Sequence, residues 1–301
     1  MKIMKRIGMD REQYYGYLFV LPALMFMLIL IGYPIIYNII ISMQKVDVMT
    51  IRDANRQFVG FGNYIDLFKD GLVIYVTKNT LFFTVGSIVI QFVIGFALAL
   101  FFNIKFRLAE RLRGLIVISW MVPVTVTALL FKFMLSPSNG IINDILIFFN
   151  IIEKPIGWLI QEKTAMWGVI IANAWIGIPF NMILLNTGLS TIPYELYESA
   201  SIDGANVFKR FIYITIPMLR PAILSVLILG FIYTFKVFDL IYVMTSGGPV
   251  NATELLSTYS YRLSFTIYNF SQGAAVANIL FAFLFVVSLG YLALINKDEV
   301  M

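Results

Sequence analysis

The chain has 301 residues, of which 60% are hydrophobic and only 13% are charged. A soluble domain usually carries roughly 25% charged residues, so the apolar excess is too large for a water-soluble core of this size. Cys and His are both absent, which excludes disulfides, thiolate nucleophiles, Cys or His metal sites and His-based proton relays. The composition therefore predicts a membrane protein without Cys- or His-based chemistry, and no catalytic residue or metal site is predicted in this chain.

Long windows without Asp, Glu, Lys or Arg cover more than half of the chain. A helix that crosses a bilayer needs about 20 mostly apolar residues. The windows therefore predict an all-α membrane protein with six transmembrane helices in one domain over residues 1–301. The predicted spans are residues 15–38, 80–102, 114–135, 165–187, 217–238 and 271–295.

The net charge of +5 comes from 22 Lys and Arg against 17 Asp and Glu. On a soluble domain this balance could indicate a nucleic-acid partner, but here the basic residues flank the spans, where they set membrane orientation. With the N-terminus in the cytoplasm, the inner segments carry 12 basic residues in 63, whereas the outer segments carry 8 in 95. The clearest cluster is residues 105–113. The pattern predicts cytoplasmic N- and C-termini and no nucleic-acid partner.

The inner loop after the fourth span, residues 188–216, is typical of a helix, a turn and a second helix. Thr191 is predicted to cap the first helix, with Pro193 in its first turn. Gly204 is predicted to make the turn, and Asn206 to cap the second helix.

One face of the first helix in this loop is small and mildly apolar, and it carries Ile192, Leu196, Ser199, Ala200 and Asp203. Such a face suits docking into a groove on a partner, and the alternative is a helix that only lies on the bilayer. Three acidic residues argue against contact with an anionic lipid surface, namely Glu195, Glu198 and Asp203.

The same loop resembles the EAA loop of ABC-importer permeases, in which a coupling helix inserts into a cleft on the ATP-binding subunit. The matching positions are Glu198, Ser199, Ala200, Asp203, Gly204, Ala205, Phe211, Ile214, Ile216 and Pro217. The resemblance covers nearly the whole chain and is closest to maltose-type (MalF-like) carbohydrate permeases. Further matches lie at residues 19–22, 33–34, 58–64, 79–81, 123, 173–179 and 245–249.

The resemblance implies a type I ABC importer permease fold in the cytoplasmic membrane of a prokaryote, moving a sugar or oligosaccharide by alternating access. The ATPase-coupling residues that it implies are Glu195, Leu196, Glu198, Ser199, Ala200, Asp203 and Gly204. The implied partners are a second homologous permease subunit, two ATP-binding subunits, an extracellular or periplasmic solute-binding protein, the sugar and membrane lipid. The chain has no phosphate-loop motif, so it is expected to bind no cofactor, with ATP and Mg on the partner ATPase subunits.

A path for a sugar through the spans needs amide, hydroxyl and aromatic side chains that face inward. The candidates by chemistry are Gln91, Trp120, Thr125, Asn173, Trp175, Asn181, Tyr233, Thr234 and Asn278. For any single Asn or Thr, the alternative is a helix–helix hydrogen bond. The resemblance implies a substrate pathway formed by Trp120, Val124, Asn173, Ile176, Gly177, Gly230, Thr234 and Val237. Several of these are apolar, so a glycerol-phosphate-like or other polar solute stays an alternative to a sugar.

Two features near the outer ends of the spans admit alternatives. Lys236 and Asp239 either pair with each other or contact the substrate or a partner subunit. Gly247, Gly248 and Pro249 can form a tight turn, which the resemblance assigns to an outer gate. A proton-coupled secondary carrier, the less favoured alternative, would need a carboxylate within a span, and only Asp239 lies near one.

Overall fold

The computed structural model describes residues 11–53, 55–104 and 106–298, with the side chains of residues 11–14 and 294–298 left out. The predicted cytoplasmic ends, at residues 1–10 and 299–301, lie outside the described residues. Extended pairing within the described ranges is limited to two isolated bridges, Gln44 with Phe58 and Asp47 with Asn269. The described chain is otherwise helices and loops.

Fourteen α-helices occur in the described ranges. They are α1 Arg11–Met27, α2 Tyr33–Ser42, α3 Gly62–Asp70, α4 Leu72–Asn103, α5 Ala109–Met121, α6 Val124–Met134, α7 Ile141–Phe148, α8 Glu162–Ser190, α9 Tyr194–Ile202, α10 Val207–Arg210, α11 Ile216–Phe235, α12 Asp239–Met244, α13 Leu256–Tyr261 and α14 Phe270–Asp298.

Each of the six predicted spans coincides with helix that is long and apolar enough to cross a membrane. Five are continuous: Tyr15–Ser42, Leu72–Asn103, Glu162–Ser190, Val207–Phe235 and Phe270–Ala293. The sixth is the bent pair Ala109–Met121 and Val124–Met134. Several helices run past the predicted ends, because backbone hydrogen bonding can continue where the side chains become polar. The fifth span shows this most clearly at its start, since it begins at Val207, ten residues before the predicted start, while it ends at Phe235, before the predicted end.

The third predicted span, residues 114–135, coincides with two helices that are bent against each other. α5 and α6 meet at an angle of 96°. Pro123 causes the break, because a proline disfavours helical geometry in the residue before it. Val122 is accordingly extended, with φ −70° and ψ 128°, and Pro123 then precedes the first turn of α6.

Two of the apolar spans widen by one π-turn just before a proline. The π-turn Leu28–Gly32 precedes Pro34, and the π-turn Phe211–Thr215 precedes Pro217. A proline has no N–H to donate to the carbonyl four residues earlier, and its ring crowds that carbonyl. The wider turn accommodates both effects, so that each span continues.

The described chain divides into two compact units. One contains the described residues through Lys69 together with Ser260–Ile279, and the other contains Asp70–Tyr259 and the described residues from Leu280 onward. The single domain predicted over residues 1–301 stays a prediction, and each unit is described by itself.

In the first unit, polar side chains join α2, α3 and the start of α14. Asn38 Nδ2 donates to Asn278 Oδ1 at 2.7 Å, and Asn278 Nδ2 donates to the hydroxyl of Tyr64 at 3.1 Å. The Tyr64 hydroxyl also lies 2.8 Å from Ser42 Oγ. Asn278 was one of the candidates for the substrate path. Its side chain instead makes hydrogen bonds between helices, which was the alternative considered for it.

The second unit is organised around α8, which packs most extensively against α4. One apolar cluster includes Phe83, Phe131 and Ile170, and another includes Met182 and Leu219. Along α8, residues 173–181 fall between these clusters.

Glycines let the helices of the second unit approach closely. A Cβ on Gly95 of α4 would lie 2.6 Å from the Cβ of Asn181, and a Cβ on Gly188 would lie 2.7 Å from that of Ala222. Within a membrane, burial of apolar surface does not drive helices together as it does in water. Helix contacts rely instead on close van der Waals packing, which small residues permit. These contacts fix the spacing of α4, α8 and α11.

Candidate functional site

All eight residues of the predicted substrate pathway line one cavity in the second unit, with a volume of about 410 Å³. Four further residues complete the lining: Gln91, Phe180, Asn181 and Tyr233. None of the twelve lining side chains carries a charge. The structure therefore brings the predicted residues together, whereas their role in transport stays a prediction.

Four elements supply the cavity wall. α4 contributes Gln91, and α8 contributes the stretch 173–181 that lies between the apolar clusters. α11 and the residues just after it contribute the stretch 230–237. The break between α5 and α6 contributes Trp120 and Val124, which lie on either side of Pro123. A straight third span would give a different wall, so the Pro123 break is part of the site.

Aromatic rings form a continuous strip on this cavity. The ring of Phe180 lies 5.9 Å from that of Trp120 and 6.2 Å from that of Tyr233, measured between centroids. The Phe180–Tyr233 pair meets edge to face, with an interplanar angle of 87°. Aromatic faces pack well against the C–H surface of a sugar ring. Phe180 was missed from the sequence, because nothing separates it there from a packing residue.

Amide side chains provide polar groups to the same cavity. Gln91 Nε2 donates to the main-chain carbonyl of Asn173 at 3.0 Å, and Asn181 Nδ2 donates to that of Gly177 at 2.8 Å. The Nδ2 of Asn173 has no hydrogen-bond partner among the described residues, although Asn173 is 95% buried. A buried donor without a partner is costly, and a ligand in the cavity is a suitable partner for it.

The two glycines of the predicted pathway differ in what surrounds them. A Cβ on Gly177 would lie 2.3 Å from Cδ of Gln91, so this glycine is required by the Gln91 side chain. A Cβ on Gly230 would meet only Ile88 Cγ1, at 3.9 Å. Gly230 therefore leaves open space at the cavity, whereas Gly177 makes room for a neighbouring amide.

Thr125 and Trp175, two other candidates, lie outside the cavity lining. Thr125 is exposed, and the Trp175 ring packs against Phe131 with 6.3 Å between centroids. A mutual pair of Lys236 and Asp239, one of the two alternatives, does not form among the described residues, and Lys236 Nζ lies instead 5.3 Å from the centroid of the Tyr233 ring. The physical reason is that Lys236 follows the end of α11 and Asp239 begins α12, so the two side chains share no helical turn.

The predicted helix–turn–helix loop is present as α9, Gly204 and α10. Gly204 has φ +77°, Ala205 N donates to Ala200 O at 2.8 Å, and Gly204 N donates to Ser201 O at 3.1 Å. These two bonds form a Schellman C-cap, which confirms the predicted turn. Asn206 Oδ1 accepts from Lys209 N at 2.8 Å, which confirms the predicted cap of the second helix.

The prediction for Thr191 is wrong. Its hydroxyl donates to Gly188 O at 2.8 Å, so it ends α8 and does not begin α9. Pro193 occupies the N-cap position of α9 itself, one residue before the predicted first turn. The reason is that α8 continues to Ser190 and needs partners for its last carbonyls.

No residue of α9 is buried, and the predicted coupling residues Glu195, Leu196, Glu198, Ser199, Asp203 and Gly204 are exposed, with Ala200 partly so. Two large apolar side chains beside them are more exposed than Leu196, namely Ile202 at 87% and Tyr194 at 71%. Neither residue was predicted from the sequence, because the docking face was defined by helical spacing from Ile192. In the structure Ile192 is buried in the second apolar cluster.

The predicted outer turn is also present. Gly247 has φ +86°, and Gly248 N donates to Thr245 O at 3.0 Å. The Gly248–Pro249 peptide bond is cis. A Cβ on Gly247 would lie 2.7 Å from the buried carboxylate of Glu254, so glycine is required there for space as well as for φ. The turn borders a groove of about 510 Å³, while its predicted role as a gate stays a prediction.

Apolar spans along the chain, together with a cavity in the second unit that is lined by uncharged residues, are typical of a membrane transport protein. Residues 91–297 match the family of binding-protein-dependent transport system inner membrane components, and the chain belongs to that family. Family membership confirms the resemblance found in the sequence and places the protein in the inner membrane as a component of a transport system.

Relatives match along almost the whole chain. It is 35% identical to the trehalose/maltose transport system permease protein MalF of Thermococcus litoralis over 285 residues, which are 94% of each chain. It is 34% identical to the lactose transport system permease protein LacF of Rhizobium radiobacter, over 89% of this chain and 91% of that one. Both relatives are permease subunits of sugar transport systems by name.

The crystal structure of a bacterial ABC transporter involved in the import of the acidic polysaccharide alginate contains a chain with the same fold. The TM-score is 0.80 at 23% identity, and the match covers 99% of both chains. This likeness confirms the predicted type I ABC importer permease fold. The orientation of the termini stays a prediction.

Proposed function

We propose that this chain is the membrane-spanning subunit of a sugar importer and that the cavity between α4, α8 and α11 holds the sugar during transport. The observation that carries the proposal is the cavity itself, in which an aromatic strip faces amide side chains without any charge. That combination suits the C–H faces and hydroxyls of a sugar. The names of the relatives, which are transport systems for trehalose, maltose and lactose, support the same class of substrate.

The exposed surface of α9 supports coupling to a separate ATPase. Ile202 and Tyr194 are large apolar side chains that nothing in the described chain covers, and Glu195 and Glu198 lie among them. An exposed helix with apolar anchors and acidic neighbours suits a groove on a partner protein. In this proposal two ATP-binding subunits take the coupling helices of this chain and of a second permease subunit.

The proposed mechanism is alternating access without catalysis by this chain. ATP and Mg bind to the partner subunits, and closure of those subunits pulls the coupling helices. The bundle then opens outward and receives the sugar from a solute-binding protein, which docks near the turn at Gly247–Pro249. A crystal structure of the alginate transporter in complex with its sugar-bound periplasmic protein supports this arrangement by analogy.

The alternatives named from the sequence find less support. A glycerol-phosphate-like solute would need a cation, and the cavity lining contains none. A proton-coupled carrier would need an intramembrane carboxylate, and Asp239, at the start of α12, is not part of the lining.

Substitution of Gly230 tests the cavity. A valine there would project into the space beside Ile88 without displacing backbone. We expect Gly230→Val to lower sugar uptake about tenfold or more, because the added methyl groups occupy the site. The measurement is uptake by the complete importer in proteoliposomes, with its binding protein.

The matched control is Gly290→Val in α14, since an added Cβ there meets nothing within 4 Å and Gly290 does not line the cavity. Equal uptake by Gly230→Val and wild type, at equal levels of assembled importer, would contradict the assignment of the cavity.

A further inference from the structure

Gln91 is the one long polar side chain that α4 contributes to the cavity. It lies in the middle of a charge-free window and is only 4% exposed. The family resemblance does not include it among the substrate positions. Its amide is nevertheless held by a hydrogen bond to the facing helix α8.

Two contacts hold the Gln91 amide. Its Nε2 donates to the carbonyl of Asn173 at 3.0 Å, on the facing helix α8. The amide also lies where a side chain of Gly177 would be, since a Cβ there would come within 2.6 Å of Cδ, Oε1 and Nε2. A carbonyl can only accept, so the nitrogen of Gln91 must face Asn173 and the oxygen must face away from it.

The side-chain atoms of this pair that have no partner among the described residues include two acceptors, Gln91 Oε1 and Asn173 Oδ1, and one donor, Asn173 Nδ2. Gln91 Oε1 accepts no hydrogen bond from the described residues, and Asn173 Nδ2 donates none to them. A sugar hydroxyl both donates and accepts, so it can satisfy both atoms. A carboxylate, sulfonate or phosphate oxygen only accepts, so it can pair with Asn173 Nδ2 but has no proton to donate to Gln91 Oε1 or Asn173 Oδ1.

We propose that Gln91, locked against Gly177, is a specificity-determining residue that makes this cavity select an uncharged sugar over an acidic one. The proposal rests on the proposed function of the cavity. The absence of charged side chains in the lining adds to the selection, because an anion in an apolar site finds no cation to pair with. The ammonium group of Lys236 is not part of the lining and lies 5.3 Å from the centroid of the Tyr233 ring.

The first experiment measures maximal uptake of neutral and acidic disaccharides by the complete importer, with the binding protein saturated. The neutral probes are maltose, trehalose and lactose, and the acidic probe is an alginate disaccharide. We expect at least one neutral probe to be carried about tenfold faster than the acidic one. The proposal would be overturned if the acidic probe is taken up as fast as the best neutral probe, or if no neutral probe is taken up. The proposal would also be overturned if the acidic probe is carried and a Lys236→Gln variant loses that uptake, because Lys236 would then supply a cation for the acidic group.

The second experiment removes the amide. Gln91→Leu should lower the maximal uptake rate for the best neutral probe about tenfold. This is the effect expected from the loss of one hydrogen bond to the sugar during translocation. Ser87→Ala is the matched control, because Ser87 is buried one helical turn away on α4, has no hydrogen-bond partner for its Oγ among the described residues, and does not line the cavity. A normal rate for Gln91→Leu overturns the role of Gln91.

A double variant separates positioning from packing. Gly177→Ala should displace the amide and impair both assembly and uptake. Adding Gln91→Ala removes the clash, so assembly should recover while uptake stays low. Recovery of uptake as well would show that the pair serves packing only. Normal uptake by Gly230→Val sinks the proposed function, whereas loss in Gly230→Val with normal uptake in Gln91→Leu sinks only this inference.

Discussion

At the scale of single residues, hydrogen bonds around one carboxylate predict a pH response outside the spans. Asp47 lies in the loop after α2, and its Oδ1 accepts from the main-chain N–H groups of Thr50 and Met49 and from the Thr50 hydroxyl, at 2.9–3.0 Å. Chiefly the Thr50 N–H, and then its hydroxyl, lower the pKa of Asp47 below its ordinary value of 3.8, with burial opposing them. The carboxylate form therefore stabilises this turn.

The lowered pKa fixes the direction of the pH dependence. A depressed pKa contributes stability that is complete above the unfolded value and is lost as the pH falls through the folded value. We expect the turn at residues 47–50 to open only below pH 3.8. Replacing Thr50 by Val removes one donor and should raise the pKa of Asp47 toward that value. Titration of the Asp47 side-chain carbon by NMR in both proteins measures this, and an unchanged midpoint would count against the bonding described.

Residue chemistry in the sequence identified part of the cavity. The amides Gln91, Asn173 and Asn181 stand out in apolar windows, because a polar group inside a membrane needs a reason. Phe180 could not be recognised, since its aromatic neighbours on the cavity come from other helices. Asn278 carries the same signal as Asn173 and yet bridges helices, so chemistry alone does not separate a ligand site from a structural bond.

At the scale of elements, the α9 Schellman turn yields a prediction with a conservative control. Gly204 is left-handed and donates its N–H to Ser201 O. Proline fixes φ near −65° and has no N–H, so Gly204→Pro should destroy the turn. We expect it to abolish sugar uptake and to release or uncouple the ATPase subunit, measured by uptake and by co-purification.

Asparagine is the control at this position, because among residues with a side chain it tolerates the left-handed region best. The Gly204→Asn variant should retain most of the sugar uptake, and the ATPase subunit should co-purify with it as it does with the wild type. If Gly204→Pro behaves like Gly204→Asn, α9 is not the coupling helix.

Prolines show why elements are harder to predict than spans. Pro22 and Pro179 lie inside helices that continue through them, whereas Pro123 separates α5 from α6. All three stand in apolar windows, so the sequence pattern is the same. Neighbouring helices decide whether the freed carbonyl is satisfied and the span continues, and a single sequence does not display those neighbours.

At the scale of the whole molecule, the charge-free windows located all six spans, because the energetic cost of a charge in lipid leaves a strong trace in sequence. The orientation rests on the basic residues of the loops and can be tested directly. The chain contains no Cys, so single cysteines can be introduced without background labelling. Ile151 lies in a predicted outer loop and Leu108 in a predicted inner one, and both side chains are exposed.

We expect a membrane-impermeant thiol reagent to label Ile151→Cys in intact cells and Leu108→Cys only in inverted vesicles. Each variant is the control for the other, and uptake activity verifies the fold. The reverse pattern would invert the orientation and place α9 on the side of the membrane that lacks ATP.

The fifth span has a mechanical consequence, since helix runs without an intervening loop from Val207, just after the Gly204 turn, to Phe235, past Gly230 and Thr234 at the cavity. At 1.5 Å per residue, the 27 steps from Val207 to Thr234 make a rod about 40 Å long. A rod of that length acts as a lever, so a tilt of a few degrees at one end displaces the other by an ångström or more. Within this rod, the π-turn at Phe211–Thr215 and the prolines Pro217 and Pro221 are the places where the helix can flex. Their stiffness would determine how much of a movement on one side of the membrane is transmitted to the sugar.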